Sequence, residues 1–217
     1  MHRKLLPLWL AAVMGGCATP AMLPDPAVDM DRAAQKHKDI AVFAGGCFWG
    51  VEAVFEQLTG VDRVLAGFAG GDAISAHYEI VSTGLTHHAE SVEIAYDPAK
   101  ITYGQLLKIF FAVAHDPTQK NRQGPDNGPQ YRSAIFYKDA EQKRVAEAYI
   151  KQLGDAQVFK QPIVTEVTAL SRFYPAEGYH QQFVERNPDY PYVVYNDLPK
   201  LAKLKQEYAA MLKSQSK

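Results

Sequence analysis

Apolar residues recur along the chain with two different spacings, one typical of strands and one typical of helices. Short apolar or alternating runs predict strands at residues 40–44, 61–67, 91–96, 132–137 and 163–168. Apolar residues three and four positions apart predict helices at residues 47–58, 103–114, 139–153, 179–186 and 200–213. Because strands alternate with helices, the pattern indicates an α/β (α+β) sandwich in which a sheet packs against helices.

Two of the predicted helices begin with polar residues that can satisfy free backbone N–H groups. Thr102 and Gln105 have the spacing of a capping box, and Asp139 stands three residues before Gln142 at the start of the next helix. Between these two helices, residues 115–130 are rich in proline and glycine, which predicts a loop.

The N-terminal segment lacks the patterning of a folded domain. Arg3 and Lys4 precede the apolar run 5–14, which is short for a membrane span and typical of a leader peptide. Gly16 then precedes Cys17, an arrangement that resembles the cleavage site of bacterial lipoproteins. We therefore expect a signal peptide at residues 1–16 and a lipid on Cys17. A plain secretory leader that happens to contain a cysteine is the alternative.

Residues 17–38 contain prolines and several charges but no apolar periodicity, so they predict a tether. Ordered structure should then begin near Asp39, and the folded domain should span residues 39–217. A lipid anchor places the expected location on the periplasmic side of the cell envelope. Ala18, rather than an aspartate, follows the cysteine, and this favours the outer membrane by analogy with lipoprotein sorting.

Composition limits the classes of function that the chain can have. Apolar residues make up 47% of the 217 residues, which is enough for the core of a single domain. The net charge of -1 provides no basic surface, so we expect no nucleic-acid partner; we also expect a monomer. The chain has two cysteines, so a lipidated Cys17 would leave Cys47 without a partner for an intramolecular disulfide.

Cys47 lies between a predicted strand and a predicted helix. Unpaired backbone N–H groups at a helix start favour a thiolate, so this position predicts a lowered thiol pKa and a reactive nucleophile. Gly45 and Gly46 allow a tight turn, and Phe48 and Trp49 can form an apolar pocket beside the sulfur. The alternative is that Cys47 is a small buried core residue.

The stretch GCFWG at residues 46–50 resembles the signature of the A-type peptide methionine sulfoxide reductases. The resemblance runs from about residue 40 to 195 and includes further blocks in the same order, HAE (88–90), HDP (115–117), QYRS (130–133) and FYPAE (173–177). It implies a two-layer sandwich whose mixed sheet is covered by helices, in a ferredoxin-like plait. It also implies reduction of methionine S-sulfoxide, free or in proteins, to methionine, and hence repair of oxidised envelope proteins.

The same resemblance assigns roles to the candidate site residues. It makes Cys47 the nucleophile that becomes a sulfenic acid and Glu90 the proton donor, which needs burial to raise its pKa. Its other matches are Tyr78 and Tyr131 for the sulfoxide oxygen, Phe48 and Trp49 for the methyl group, and Asp126 for the substrate backbone. Taken singly, these residues could equally be a solvated carboxylate, packing tyrosines and a turn residue.

The chain departs from many members of that family, which carry further cysteines after the catalytic one. It has Gly50 after the signature tryptophan and no cysteine beyond Cys47. We therefore expect no bound cofactor and direct reduction of the sulfenic acid by an external thiol, either a small molecule or a thioredoxin-like protein. Histidines such as His77, His87 and His88 have no known metal-binding spacing, so no metal is expected.

Two other functions stay open from the residues. A cysteine-based acyl-transfer hydrolase needs a histidine base near the thiol, and the chain has seven histidines. A non-catalytic, peptide-binding lipoprotein would use the aromatic pocket alone. Activity on a thioester or an amide identifies the first, whereas the second predicts that Cys47→Ser leaves function intact.

Overall fold

The computed structural model describes residues 22–31 and 37–214. The strands are β1 (Asp39–Gly45), β2 (Val61–Ala69), β3 (Ala89–Tyr96), β4 (Arg122–Gln123), β5 (Asp126–Asn127), β6 (Ser133–Tyr137), β7 (Glu166–Ala169) and β8 (Phe173–Pro175). The helices are α1 (Phe48–Glu56), α2 (Tyr78–Val81), α3 (Tyr103–Ile109), α4 (Ala140–Asp155), α5 (Phe183–Arg186) and α6 (Leu198–Glu207). The predicted signal peptide and Cys17 lie outside the described residues. Within the described ranges, no helix is both long and apolar enough to cross a bilayer.

Six strands form the main sheet, in the order β7-β6-β1-β3-β2-β8. Their neighbours pair antiparallel except for β6 and β7, which run parallel. Strands β1 and β2 flank β3, and helix α1 connects them. The predicted mixed sheet with helices is therefore confirmed, whereas the ferredoxin-like plait stays a prediction.

Strand β1 is buried on both faces of the sheet, which explains its continuous apolar run. Phe43 points into the helix-covered core, where its ring centroid lies 5.7 Å from that of Phe55 and 4.9 Å from that of Phe110. Val42 belongs instead to a smaller apolar cluster with Phe136. This central strand ends at the turn that leads into α1.

The two predicted helix caps are confirmed. Thr102 accepts a hydrogen bond from the backbone N–H of Gln105, whose side chain accepts one from the N–H of Thr102. Asp139 caps α4 through the N–H of Gln142. The first of these helices is α-helical only as far as Ile109 and continues as a π-helical turn over Phe110–Ala114.

The C-terminal third departs most from the sequence pattern. The helix predicted at 179–186 is wrong over its first half, because only Phe183–Arg186 is helical. A short edge strand, β8, was not predicted. The last helix begins earlier and ends earlier than expected, since a π-helical turn over Val193–Asp197 leads into α6, which stops at Glu207.

Residues 22–31, which the sequence placed in the tether, lie against the domain. Asp29 accepts a hydrogen bond at 2.9 Å from the backbone N–H of Gly104 at the start of α3. The Asp25 carboxylate pairs with the Lys108 ammonium at 2.7 Å. The expectation that ordered structure begins near Asp39 is therefore wrong, because this segment gains helix-capping and ion-pair contacts on α3.

Candidate active site

The site is built at the sharp turn between β1 and α1. Gly46 has φ of 90°, and a Cβ placed on it would lie 2.5 Å from the Gln123 side chain, so only glycine fits there. Cys47 follows as the N-cap of α1 and is 8% exposed. The turn therefore presents the sulfur at the end of the helix that carries free backbone N–H groups.

A cavity of about 180 Å³ opens at this turn, and we call it the thiol pocket. It is lined by Cys47, Phe48, Trp49, Tyr78, Glu90, Asp126, Tyr131, Tyr190 and Tyr192. The structure thus brings together all seven candidate residues, which come from six separate elements and loops. Sequence reasoning missed Tyr190 and Tyr192, whose only signal was their aromatic character in a proline-containing segment.

Glu90 is a buried carboxyl group, not a solvated one. It lies in β3 opposite Phe68 of β2, and it is 2% exposed. One carboxyl oxygen accepts a hydrogen bond at 3.1 Å from the backbone N–H of Phe48, the residue after Cys47. Burial raises the pKa of Glu90 to about 8, with a further contribution from the Asp126 carboxylate. Glu90 is therefore protonated at neutral pH, as a proton donor must be.

The prediction of a lowered thiol pKa is wrong for the resting site. Burial raises the pKa of Cys47 well above its usual value, and the nearby Glu90 and Asp197 carboxylates raise it further. The backbone N–H of Trp49 and the Lys200 ammonium act in the opposite direction but are outweighed. Desolvation of the anion exceeds the helix-start effect here, so the resting sulfur is a thiol.

Tyr78 and Tyr131 provide two phenols that stay protonated. Burial, followed by the charge of Glu90, raises the pKa of Tyr78 to about 12 and that of Tyr131 still further. Tyr78 is held in place through its backbone N–H, which donates to Glu177 at 3.1 Å. Both hydroxyl groups can therefore donate hydrogen bonds into the pocket at neutral pH.

Asp126 forms the polar side of the pocket. It lies in β5, within the segment that the sequence predicted as loop, and its carboxylate accepts a hydrogen bond from the Tyr192 hydroxyl at 2.5 Å. Burial raises the pKa of Asp126, while the Tyr192 hydrogen bond and the Lys200 ammonium lower it. A carboxylate so placed can accept a hydrogen bond from a ligand at the pocket mouth.

Trp49 is fixed as a rigid wall. Its indole N–H donates to Nδ1 of His180 at 3.1 Å, and its ring stacks on Phe183 with centroids 3.7 Å apart. Burial lowers the pKa of His180, so the imidazole is neutral and Nδ1 can accept this hydrogen bond. The apolar wall expected from Phe48 and Trp49 is thus held by a histidine that the sequence did not single out.

The pocket does not favour hydrolase or metal chemistry. None of the described residues that line it is a histidine, so the thiol has no imidazole base of the kind that acyl transfer requires. His115 is committed elsewhere, since its ring nitrogens bond the Phe110 carbonyl and the Ser133 hydroxyl. Across residues 22–31 and 37–214, no three His, Cys, Asp or Glu side chains are grouped to hold a metal ion.

Comparison with known proteins gives consistent results. The model of the peptide methionine sulfoxide reductase family matches residues 39–212. Peptide methionine sulfoxide reductase MsrA 2 of Synechocystis sp. is 57% identical over 90% of this chain and 92% of its own length. MsrA 2 of Mesorhizobium japonicum is 56% identical over 84% of this chain and 93% of its own length.

Solved structures extend the similarity to the fold. Methionine sulfoxide reductase A of Corynebacterium diphtheriae superposes with a TM-score of 0.60 at 35% identity, covering 84% of this chain and 92% of that one. Reduced Mxr1 of Saccharomyces cerevisiae gives a TM-score of 0.64 at 30% identity over 70% of this chain and 87% of that one.

Proposed function

The chain belongs to the peptide methionine sulfoxide reductase family, and we propose that the thiol pocket is the place where it reduces methionine sulfoxide. As a member of this family it is a thiol-dependent enzyme, a peptide-methionine (S)-S-oxide reductase, that uses no prosthetic cofactor. One observation carries the assignment of the site. A protonated, buried Glu90 accepts a hydrogen bond from the backbone N–H of Phe48, the residue that follows Cys47. Glu90 and Cys47 line the same small cavity.

The proposed reaction transfers an oxygen atom from methionine to Cys47. Cys47 gives up its proton and attacks the sulfoxide sulfur, while Glu90 donates a proton to the sulfoxide oxygen. The attack forms a sulfur–sulfur bond. This bond and the S–O bond of the protonated sulfoxide then break as the hydroxyl group moves to the Cys47 sulfur, which becomes a sulfenic acid, and two electrons pass from the Cys47 sulfur to the methionine sulfur. The product is methionine, and Glu90 recovers the proton that the thiol released.

The remaining side chains orient the substrate. Tyr78 and Tyr131 donate hydrogen bonds to the sulfoxide oxygen, where negative charge grows as the bond breaks. Phe48 and Trp49 enclose the methyl group, and Asp126 accepts a hydrogen bond from the substrate backbone. An oxygen held on one side and a methyl group on the other distinguish the two sulfoxide epimers, and the S epimer is the proposed substrate.

Recycling of Cys47 is proposed to rely on an external thiol. Cys47 is the free cysteine of the described domain, so no second thiol of that domain can displace the sulfenic oxygen. A first external thiol would form a mixed disulfide and release water, and a second would free Cys47. The donor is proposed to be a small thiol or a thioredoxin-like protein.

We propose further that a lipid on Cys17 anchors the enzyme at the periplasmic side of the envelope, in the outer membrane, after removal of residues 1–16. Support comes from the apolar leader and the small residues before Cys17. The domain would act there as a monomer on oxidised envelope proteins, oxidised peptides and free methionine sulfoxide. Labelling cells with an alkyne fatty acid tests the anchor, since Cys17→Ser should lose the label.

The activity assignment is tested on the two separated sulfoxide epimers with a dithiol reductant. Wild type should reduce the S epimer, and Cys47→Ser should lose at least about a thousandfold in rate because the nucleophile is gone. Cys17→Ser, made without residues 1–16, is the matched control and should keep full activity. Equal turnover by Cys47→Ser, or preference for the R epimer, would overturn the proposal.

A further inference from the structure

We propose that the ion pair of Asp197 and Lys200, which packs against Gly50, is a positioning element for the reaction and sets how much of the Cys47 sulfur is ionised in the resting enzyme. Neither residue lines the thiol pocket. The inference rests on the proposed role of Cys47 as nucleophile. Its test, however, measures the thiol itself and does not depend on sulfoxide reduction.

Gly50 gives the ion pair direct access to the first turn of α1. A Cβ on Gly50 would lie 2.0 Å from Oδ1 of Asp197 and 2.7 Å from Nζ of Lys200, so the two charged groups occupy the space that a side chain would fill. Gly50 is the third residue of the helix that Cys47 caps. Only one turn of backbone therefore separates the ion pair from the sulfur.

The Asp197 carboxylate is sealed from water and incompletely satisfied, whereas the Lys200 side chain is 18% exposed. Asp197 is 0% exposed, and its Oδ1 accepts from Lys200 Nζ at 3.3 Å. Oδ2 of Asp197 has no hydrogen-bond partner among the described residues. A buried ion pair of this kind adds little to stability compared with apolar side chains of similar size. The ion pair lies beside α1, the helix that Cys47 caps, and an effect on Cys47 would explain why the pair is present.

The two charges act on Cys47 in opposite directions. The Asp197 carboxylate raises the pKa of Cys47, and the Lys200 ammonium lowers it by a smaller amount. Substitutions at Asp197 and Lys200 leave the other groups that face the sulfur chemically unchanged. They are Glu90 of β3, Tyr78 of α2, Asp126 of β5, Tyr131, Tyr192 and the backbone N–H of Trp49.

The result is a thiol held back from ionisation in the resting enzyme. A thiolate is the form that oxidants attack, so a carboxylate behind the helix protects a lone cysteine from irreversible oxidation. Lys200 limits this effect and also lowers the pKa of Asp126. The pair would thus balance protection of the sulfur against its reactivity.

The experiment compares Asp197→Asn with the double variant Asp197→Asn/Lys200→Gln. The rate of Cys47 alkylation by iodoacetamide is measured from pH 6 to 10.5, with Cys47→Ser as the blank. Asp197→Asn leaves an unopposed ammonium, so the midpoint of alkylation should fall by about one pH unit. In the double variant, which loses both charges, the midpoint should lie between those of Asp197→Asn and wild type. Asp155→Asn, which breaks an exposed ion pair with Lys151, should change nothing.

The ascending limb of the pH profile for sulfoxide reduction should move with the alkylation midpoint. A purely structural role would instead lower the melting temperature while leaving the alkylation midpoint and the ascending limb at their wild-type positions, and that result overturns the proposal. So does a rise in the midpoint for Asp197→Asn. If either variant fails to fold, Asp197→Ser with added formate replaces it, and the absence of a formate-dependent return toward the wild-type midpoint contradicts the proposal. If the alkylation midpoint shifts as expected but the enzyme does not reduce the sulfoxide, the proposed function is refuted and the role of the ion pair is not.

Discussion

Two cavities lie beside helix α1, and each contains a buried glutamate. The thiol pocket, at the start of the helix, measures about 180 Å³ and contains Glu90. A larger cavity of about 730 Å³, which we call the lateral cavity, lies along the helix between Glu52, Val64 and Leu201. Burial raises the pKa of both glutamates to about 8. Neither the size of a cavity nor a raised carboxyl pKa therefore identifies the reacting site.

The neighbours of each glutamate make the difference. Glu90 shares its cavity with a thiol and phenols, and its carboxyl group is fixed to the turn that carries the thiol. Burial, followed by the charge of Glu56, raises the pKa of Glu52, whose carboxyl group accepts a hydrogen bond from the backbone N–H of Gln182 at 2.9 Å. A perturbed carboxyl group becomes a proton donor for catalysis only where a nucleophile and oxygen-binding groups face the same space.

The matched substitutions Glu90→Gln and Glu52→Gln should separate the two cavities most widely. Glu90→Gln removes the proton donor and should slow sulfoxide reduction by at least about a hundredfold, whereas Glu52→Gln should change it by less than about threefold. Single-turnover rates with saturating substrate measure both. Comparable losses in the two variants would remove the distinction between the cavities.

Removal of the phenols should give the next largest effect. Tyr78→Phe and Tyr131→Phe should each slow the reaction about tenfold, and the double variant about a hundredfold, because two donors to the sulfoxide oxygen are lost. Tyr96→Phe is the control, since Tyr96 is fully buried and bonds Asp39 at 3.5 Å, outside the pocket. If Tyr96→Phe lost as much activity as the pocket variants, general loss of packing would explain all three.

The pH profile of kcat/KM should show the two titrations of the thiol pocket. Below pH 8 Glu90 stays protonated, so the rate should rise about tenfold per pH unit as Cys47 ionises. From about pH 8 upward, Glu90 loses its proton while Cys47 still ionises, so the profile should flatten until the thiol is fully ionised. Glu90→Gln should lack the break near pH 8, and a break at the same pH in that variant would contradict the assignment.

The smallest effect concerns stability at the lateral cavity. The pKa of Glu52 is higher in the folded than in the unfolded chain, so its contribution to stability is complete at low pH and decreases as pH rises toward about 8. Glu52→Gln removes this penalty and should raise the melting temperature by about 3 °C at pH 9, with little change at pH 4. Thermal unfolding at the two pH values measures it; equal shifts at both would show that the effect is not ionisation.

The sequence predicts the part of the fold that depends on local signals. The turn at Cys47, the capped starts of α3 and α4, and most strands of the sheet follow from spacing and capping residues close together in the chain. Residues 22–31 and β8 could not be found this way, because their order depends on contacts with elements far away in sequence, such as Asp29 with the start of α3 and Phe173 with Ala69.

The site was predictable in its members but not in its electrostatics. Resemblance gave the seven residues that meet in the thiol pocket. The burial of Glu90 depends on its pairing with β2 and on α1. The raised pKa of Cys47 comes first from burial and then from the Glu90 and Asp197 carboxylates, which are far away in sequence. Tyr192 and His180 also reach the site through the C-terminal segment, where the helix predicted at residues 179–186 forms only over Phe183–Arg186.

Stoichiometry in a single turnover tests the central claim most directly. Enzyme without residues 1–17 is mixed with excess methionine S-sulfoxide in the absence of reductant, and methionine, free thiol and dimedone-reactive sulfur are counted. We expect one methionine per enzyme, loss of the Cys47 thiol, and one dimedone adduct on Cys47, with none of these in Cys47→Ser. Methionine formed while the Cys47 thiol stays intact would contradict oxygen transfer to this sulfur.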